Sequence, residues 1–364
     1  MGFKRLDPED FLVSADSVSQ TVWSNNQVEI SSFYSSSAQR VASVSGDYYL
    51  AVYNEPTANV NSSTQFDIAY GDKSSGGAVY FNDAVPGKST TSTIYGQYRS
   101  LVLEDETADF TYGTSGASST DCSGSITFGS SFSPGYLYAI SMERSRYKEK
   151  LLPGTLSLTL QGSTGNAITL TDNSSDVTVP TYFGTQRAYQ IVRQGATPGT
   201  SDGINAGYTN SGSYGLFLPD TGLLLLNGAA LDQTAGVPTA ANPDIGIGLA
   251  TSRTLDTDGN NNSKLFQSIV RGSSFKLNCE ETLSSDFIFV RSRNAEFNYS
   301  TNPSFIQGST GEVFWSSYIN NPQTYITTIG LYNDQNDLLA VAKLSKPLLK
   351  DFTKESLVRV KLDF

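Results

Sequence analysis

The clearest pattern along the chain is alternation with a period of two, cut by turn residues. In residues 65–70, Phe66, Ile68 and Tyr70 fall on one side of an extended backbone. Gln65, Asp67 and Ala69 fall on the other. Successive strand side chains point to opposite faces, so this segment predicts a half-buried strand. Residues 136–142 predict a second strand, apolar on both faces. Residues 156–160 alternate, and residues 167–171 resume the pattern after a turn with Gly162 and Gly165, which predicts a hairpin. Residues 287–290 predict a continuously buried strand. Residues 324–332 predict the longest strand, entering a turn at 333–337 and returning through 338–344. Pro347 predicts a break, residues 351–356 a loop or helical turn, and residues 357–362 the closing strand of a meander. There Arg359 and Lys361 alternate with Val358, Val360 and Leu362, so one face is wet.

Helical signal is thin. Residues 264–271 before Gly272 have helical spacing and a glycine stop, with Asn-rich sequence upstream to cap them. Residues 143–150 fit at most a helical turn ended by Pro153-Gly154. Residues 100–103 read as a strand before a solvated turn. Long polar loops are expected at 113–124, 195–215 and 236–248, and residues 197–213 are expected to order only on assembly. No repeat of 20–50 residues points to a propeller or solenoid. The expected fold is mainly β, with antiparallel sheets in sandwich-like domains and few short helices. Three regions are expected: 1–130, β-rich; 131–250, sandwich-like with long loops; and 251–364, a β-meander.

Composition narrows the chemistry. The 364 residues contain no histidine, which removes Ser-His-Asp and Cys-His catalysis and histidine metal or haem sites. Lys and Arg number 24 against 35 Asp and Glu, a net charge of −11 that disfavours nucleic acid. Aromatic residues are 11%, too many for a disordered chain. No apolar run reaches the ~20 residues of a membrane helix, and the first residues carry no signal-peptide core. Cys122 and Cys279 stand in no motif and read as ordinary thiols. Asn-x-Ser sequons at Asn61, Asn173, Asn261 and Asn298 read as chance in so Ser/Asn-rich a chain.

Four constellations bear on function. Gly87-Lys88-Ser89-Thr90 is the tail of a phosphate-binding loop, but Asn82 stands where the motif needs glycine. It reads as a surface turn. Residues 256–262 alternate Asp and Asn as a calcium loop does, but Asn261 and Gln267 replace its glycine and glutamate. Glu104, Asp105, Glu106, Asp109, Glu280 and Glu281 are carboxylates of the type a glycosidase needs. Nothing in the spacing pairs them. Finally, basic and aromatic residues mark candidate interfaces. Arg144, Arg146 and Lys148 interleave with Glu143 and Glu149. Phe297, Tyr299 and Phe305 sit among turn residues, though core burial of Phe297 and Tyr299 is the simpler expectation. The last 22 residues hold six basic groups, including Lys343, Lys346, Arg359 and Lys361, against three acidic ones. Such an asymmetry steers one subunit's end onto an acidic neighbour.

Longer strings carry a resemblance. EFNYSTNPSF spans residues 296–305, NNPQTY 320–325, and TTIGLYN ends at Asn333. LLAVAKLSKP runs from Leu338 to Pro347, and VRVKLDF follows from Val358. With KRLDPEDF from Lys4 and RSRYKEKLLPG from Arg144, these resemble virion structural proteins of T4-like tailed bacteriophages, especially myoviruses of marine cyanobacteria. The resemblance implies a non-enzymatic component of the virion, of the contractile tail and its baseplate first, assembled in the host cytoplasm. It implies other virion proteins and copies of itself as partners, and no cofactor, metal, catalytic residue, nucleic acid or membrane insertion. The alternatives are a head-surface or neck protein of the same particle, a receptor- or glycan-binding fibre module, and a two-carboxylate glycan hydrolase.

Overall fold

The computed structural model describes residues 4–35, 48–77, 89–112, 133–175, 180–195, 213–232, 247–249 and 260–363. In chain order these form β1 (Phe11–Thr21), β2 (Glu29–Ile30), β3 (Tyr34–Ser35), β4 (Leu50–Tyr53), β5 (Thr64–Asp72) and α1 (Thr90–Leu103). Then come β6 (Tyr136–Met142), β7 (Lys150–Leu151), β8 (Ser157–Gln161), β9 (Ala167–Asp172), β10 (Thr181–Phe183) and β11 (Gln186–Arg193). β12 (Gly215–Leu218), β13 (Leu223–Asn227), α2 (Gly228–Asp232), α3 (Asn260–Gly272), β14 (Ser274–Lys276) and β15 (Asn278–Ser292) follow. α4 (Ser316–Asn320), β16 (Thr324–Tyr332), β17 (Leu338–Lys350) and β18 (Ser356–Asp363) complete them. The chain is mainly β, as its alternation predicts. It divides into two compact units, Ser19–Glu281 and a second made of Met1–Val18 with Thr282–Phe364. These differ from the three regions expected from sequence, because β5 and β6 pair along their length across residue 130.

The larger unit is built on one antiparallel sheet ordered β2-β14-β8-β9-β11-β12-β13-β6-β5-β4-β3, with β10 on β11. The predicted hairpin is β8–β9, with Leu158 opposite Leu170 and Leu160 opposite Ile168. Phe66, Ile68 and Tyr70 face one core with Tyr138, Ile140, Leu224 and Leu226. Ala69, Leu137, Ala139, Leu223 and Leu225 face another, closed by Ile94, Tyr95, Tyr98 and Val102 of α1. β5 is therefore buried on both faces rather than half-buried. Residues 100–103 end this helix instead of forming a strand. Ser89 caps it by accepting a hydrogen bond from the Ser92 N–H at 3.2 Å. Glu104 ends it in the left-handed region, at φ 55°. The helix sits so close to β5 that a Cβ on Gly71 would lie 2.8 Å from the Tyr95 nitrogen.

The sheet also rolls. Phe66 of β5 and Phe275 of β14 meet with ring centroids 5.5 Å apart, and Trp23 stands edge-on to Phe275 at 4.9 Å. α3 packs against both β8 and β5, burying Leu265 and Ile269 in this core. The helix predicted at 264–271 is thus present, but the Asn-rich stretch forms its first turn rather than preceding it. Gly272 is the last residue of the helix rather than its stop, since the left-handed turn falls on Ser273 at φ 53°. The glycine is needed for contact, because a Cβ there would overlap the Thr159 carbonyl.

The smaller unit has a sheet ordered β1-β15-β18 and a separate two-stranded ribbon, β16–β17. The C-terminal meander is therefore not formed: β18 pairs with β15, Ile288 opposite Val360, instead of returning to β17. The segment 287–290 is not continuously buried, and only Ile288 is enclosed. Pro347 does not break the chain either. It lies within β17 where the register slips between Ile326–Leu348 and Thr328–Lys343, so its missing N–H falls in a bulge.

Candidate interaction surface

A unit of this size ordinarily encloses an apolar core, and this one scarcely does. Its buried apolar side chains among the described residues are Ile288, Phe305, Ile306 and Val360. Fifteen large apolar side chains stand exposed instead, among them Trp315 at 62% and Ile319 and Leu339 at 68%. Monomeric soluble proteins rarely leave so much apolar surface outside.

The aromatic segment at 297–319 is held rigidly while its apolar tips face outward. Lys350 is fully buried, and its ammonium donates to the Asn294 carbonyl at 3.0 Å, Asn298 Oδ1 at 3.0 Å and the Asp351 carbonyl at 2.9 Å. The Thr324 hydroxyl donates to the Phe297 carbonyl at 2.6 Å. These bonds fix Phe297 in the left-handed region, at φ 57°, with its ring outside. The Tyr299 hydroxyl donates to the Gly311 carbonyl at 3.0 Å, and its ring stands edge-on to Phe305 at 5.7 Å. Phe305 then packs on Tyr318 at 5.0 Å. Of the three aromatics read from sequence, Phe305 is core; Phe297 and Tyr299 are exposed, against the simpler expectation. Trp315 and Ile319, four residues apart on α4 and its cap, were not singled out by sequence. Their spacing on a helical turn is the signal that would have found them.

The basic candidates divide into committed and uncommitted. Arg144 donates to the carbonyls of Tyr147 and Lys148 and lies over the Tyr147 ring, so it fastens a local turn. Arg146 reaches only Ser145 Oγ at 3.4 Å, and its Nε is enclosed without a partner. Lys148 pairs with Glu281 at 2.8 Å and Lys150 with Glu280 at 3.4 Å, a ladder set by β7 pairing with the start of β15. The acidic neighbour of this run is thus its own chain. Arg359 and Lys361 flank the Phe287 ring at 5.3 and 5.8 Å, and Lys361 also pairs with Asp363 at 2.9 Å. Lys343 and Lys346 are exposed on β17 and make no ion pair among the described residues.

Of the candidate enzymatic carboxylates, Asp105 holds a turn and Asp109, Glu280 and Glu281 hold ion pairs. Asp105 accepts from the Thr107 N–H and hydroxyl, both at 2.7 Å, which holds its carboxyl below the usual range. Asp109 pairs with Lys73 at 2.7 Å. Ser89, at the end of the phosphate-loop fragment, is occupied in capping; Pro86 to Lys88 lie outside the described residues, as do Cys122, most of the loop 197–213 and residues 256–259. Asn173, Asn261 and Asn298 of the sequons are buried. Cys279 is a buried free thiol pushed up by that burial, which suits an inert cysteine. One carboxyl that sequence does not flag is Asp67 on β5. Burial, aided by the nearby Glu143 charge, pushes it up to about 6. Among the described residues no three metal-ligating side chains converge, and no helix is long and apolar enough to cross a membrane. Comparisons with protein-family models, curated proteins and solved structures give no match to this chain.

Proposed function

We propose that the protein is a non-enzymatic structural subunit of a tailed-phage particle, a component of the contractile tail and its baseplate that acts by packing against other subunits. The observation that carries this reading is the smaller unit's apolar surface, which outweighs its core. Large exposed apolar surfaces of this kind mark places where another protein packs. Most of the strings that resemble virion structural proteins lie in this same unit. The engagement of Asp105 in a turn and of Asp109, Glu280 and Glu281 in ion pairs supports the non-enzymatic part.

Quantitative mass spectrometry of purified particles, scaled to the major capsid and tail-tube proteins, tests it. A low copy number matching tail-end components is the expected result. A low copy number is shared by the neck alternative, whereas a copy number tracking the capsid protein moves the subunit to the head. Absence from the particle overturns the structural reading and brings the glycan-binding module forward.

A further inference from the structure

The ribbon β16–β17 has two outer edges, and they are unlike. β17 carries Lys343, Lys346 and Pro347, with the bulge beside them. Charges, prolines and bulges are how natural sheets keep an edge from pairing with another chain. Nothing of the kind guards β16. Its nine residues hold no charge and no proline, and seven are β-branched or aromatic. Among the described residues β16 pairs with β17 alone. A lone two-stranded ribbon is marginal in water. This one also leaves Tyr325, Tyr332, Leu339 and Val341 exposed.

We infer that β16 is the docking edge for a second copy of this chain, paired antiparallel about a two-fold axis at Thr328 to give the sheet β17-β16-β16-β17. This deepens the assembly reading and rests on it. The register follows from the strand itself. Thr328 is the middle residue of β16, so full overlap sets it opposite its own counterpart. Thr327 then faces Ile329, Tyr325 faces Leu331, and Ile326 faces Gly330. Cross-strand pairs of β-branched and aromatic residues stabilise sheets, and like charges directly opposite destabilise them. An uncharged strand is therefore a fit partner for its own copy. β17 against its copy at full overlap would crowd Lys343 and Lys346 of both copies into one stretch of ladder and set Pro347, which has no N–H to donate, opposite Val341. An isologous contact through β16 also closes the open edge and leaves only guarded β17 edges outside.

Sedimentation velocity on the full chain tests this. The wild-type chain is expected to be a dimer at micromolar concentration. Thr328→Glu sets two carboxylates face to face at the axis, while within the ribbon it lies opposite Lys343, and it is expected to raise the dimer dissociation constant about tenfold or more. Thr328 is exposed and Lys343 opposite it offers a glutamate an opposite charge, so circular dichroism of this variant should match the wild type. Thr328→Cys should cross-link to a dimer with oxidised glutathione, since Cβ atoms of directly opposed strand residues approach to about 4.5–5.5 Å. Lys343→Cys should not. A monomeric wild type, undiminished dimerisation of Thr328→Glu, or equal cross-linking of Lys343→Cys overturns the inference. Incorporation into particles is scored separately. A monomeric chain that still enters the particle removes this contact alone, whereas a chain missing from it removes the assembly reading.

Discussion

Phe66 and Phe275 touch ring to ring at 5.5 Å although six strands lie between β5 and β14 in the sheet order. Only a sheet that curls back on itself can bring them together, and the contact makes one core out of its two ends. Truncating either ring removes that closure. Phe275→Ala is expected to destabilise the larger unit by about 3–5 kcal/mol, the usual range for a fully buried phenylalanine. Phe275→Leu should cost clearly less. Urea unfolding followed by tyrosine and tryptophan fluorescence reads both, because Trp23 stands against Phe275.

How far sequence could reach is visible in the same sheet. β8, β9 and β16 are legible because period-two alternation and turn residues are local signals, and β6 because an apolar run of strand length is one too. β13 was not singled out, although four consecutive leucines are what a strand buried on both faces looks like. α1 was missed because Thr, Ile and Tyr favour strands, while the helical spacing of Ile94, Tyr95, Tyr98 and Val102 pays off only once β5 supplies a face to cover. β18 chose β15 over β17, a long-range pairing that no local pattern encodes. At the candidate surface, sequence located the aromatic segment but not the buried lysine that holds it.

The close approach of α1 to β5 gives a second prediction. Gly71→Ala places a methyl group 2.8 Å from the Tyr95 nitrogen, backbone that cannot swing aside. The variant should lose about 1–3 kcal/mol by overpacking. Ser89→Ala removes only the helix cap and should cost about 1 kcal/mol. Thermal unfolding of the two variants side by side checks the order.

Asp67 predicts a pH dependence. Its carboxyl titrates at about 6 in the fold against an ordinary value of 3.8. The folded state therefore binds the proton more tightly than the unfolded chain. Protonated Asp67 is neutral and tolerated. As pH rises from about 4 through about 6, the folded chain must ionise a half-buried group, and stability falls. Asp67→Asn should raise the melting temperature at pH 7.5, and the gain should shrink towards zero near pH 4. A gain that is equal at both values would show that the Asp67 charge is not its source.

Lys350 is the fastening of the smaller unit. Its ammonium bonds Asn294, Asn298 and Asp351 at once and has no solvent exposure. Lys350→Met removes all three bonds; the Asn294 and Asp351 carbonyls keep donors in Asn298 Nδ2 and the Lys354 N–H, while Asn298 Oδ1 loses its donor, at a cost of about 1–3 kcal/mol. The amides of residues 294–298 should then exchange faster with deuterium than in the wild type. β8 and β9, in the other unit, should be unchanged.

The apolar knob of α4 separates assembly from folding. Trp315 and Ile319 are 62% and 68% exposed, so their side chains contribute little to the stability of the isolated chain. Surface substitutions of this kind usually shift stability by less than about 0.5 kcal/mol. Trp315→Ser with Ile319→Gln should therefore leave the unfolding midpoint nearly unchanged. Buried aromatic anchors, by contrast, dominate interfaces, and losing one commonly costs 2 kcal/mol or more, about thirtyfold in affinity. On the proposed assembly role, the double variant should enter particles poorly when it competes with the wild-type chain, as measured by the ratio of the two chains in purified particles. Equal incorporation would take this knob out of the subunit contact and leave the β16 edge and the Phe297–Tyr299 segment to carry it.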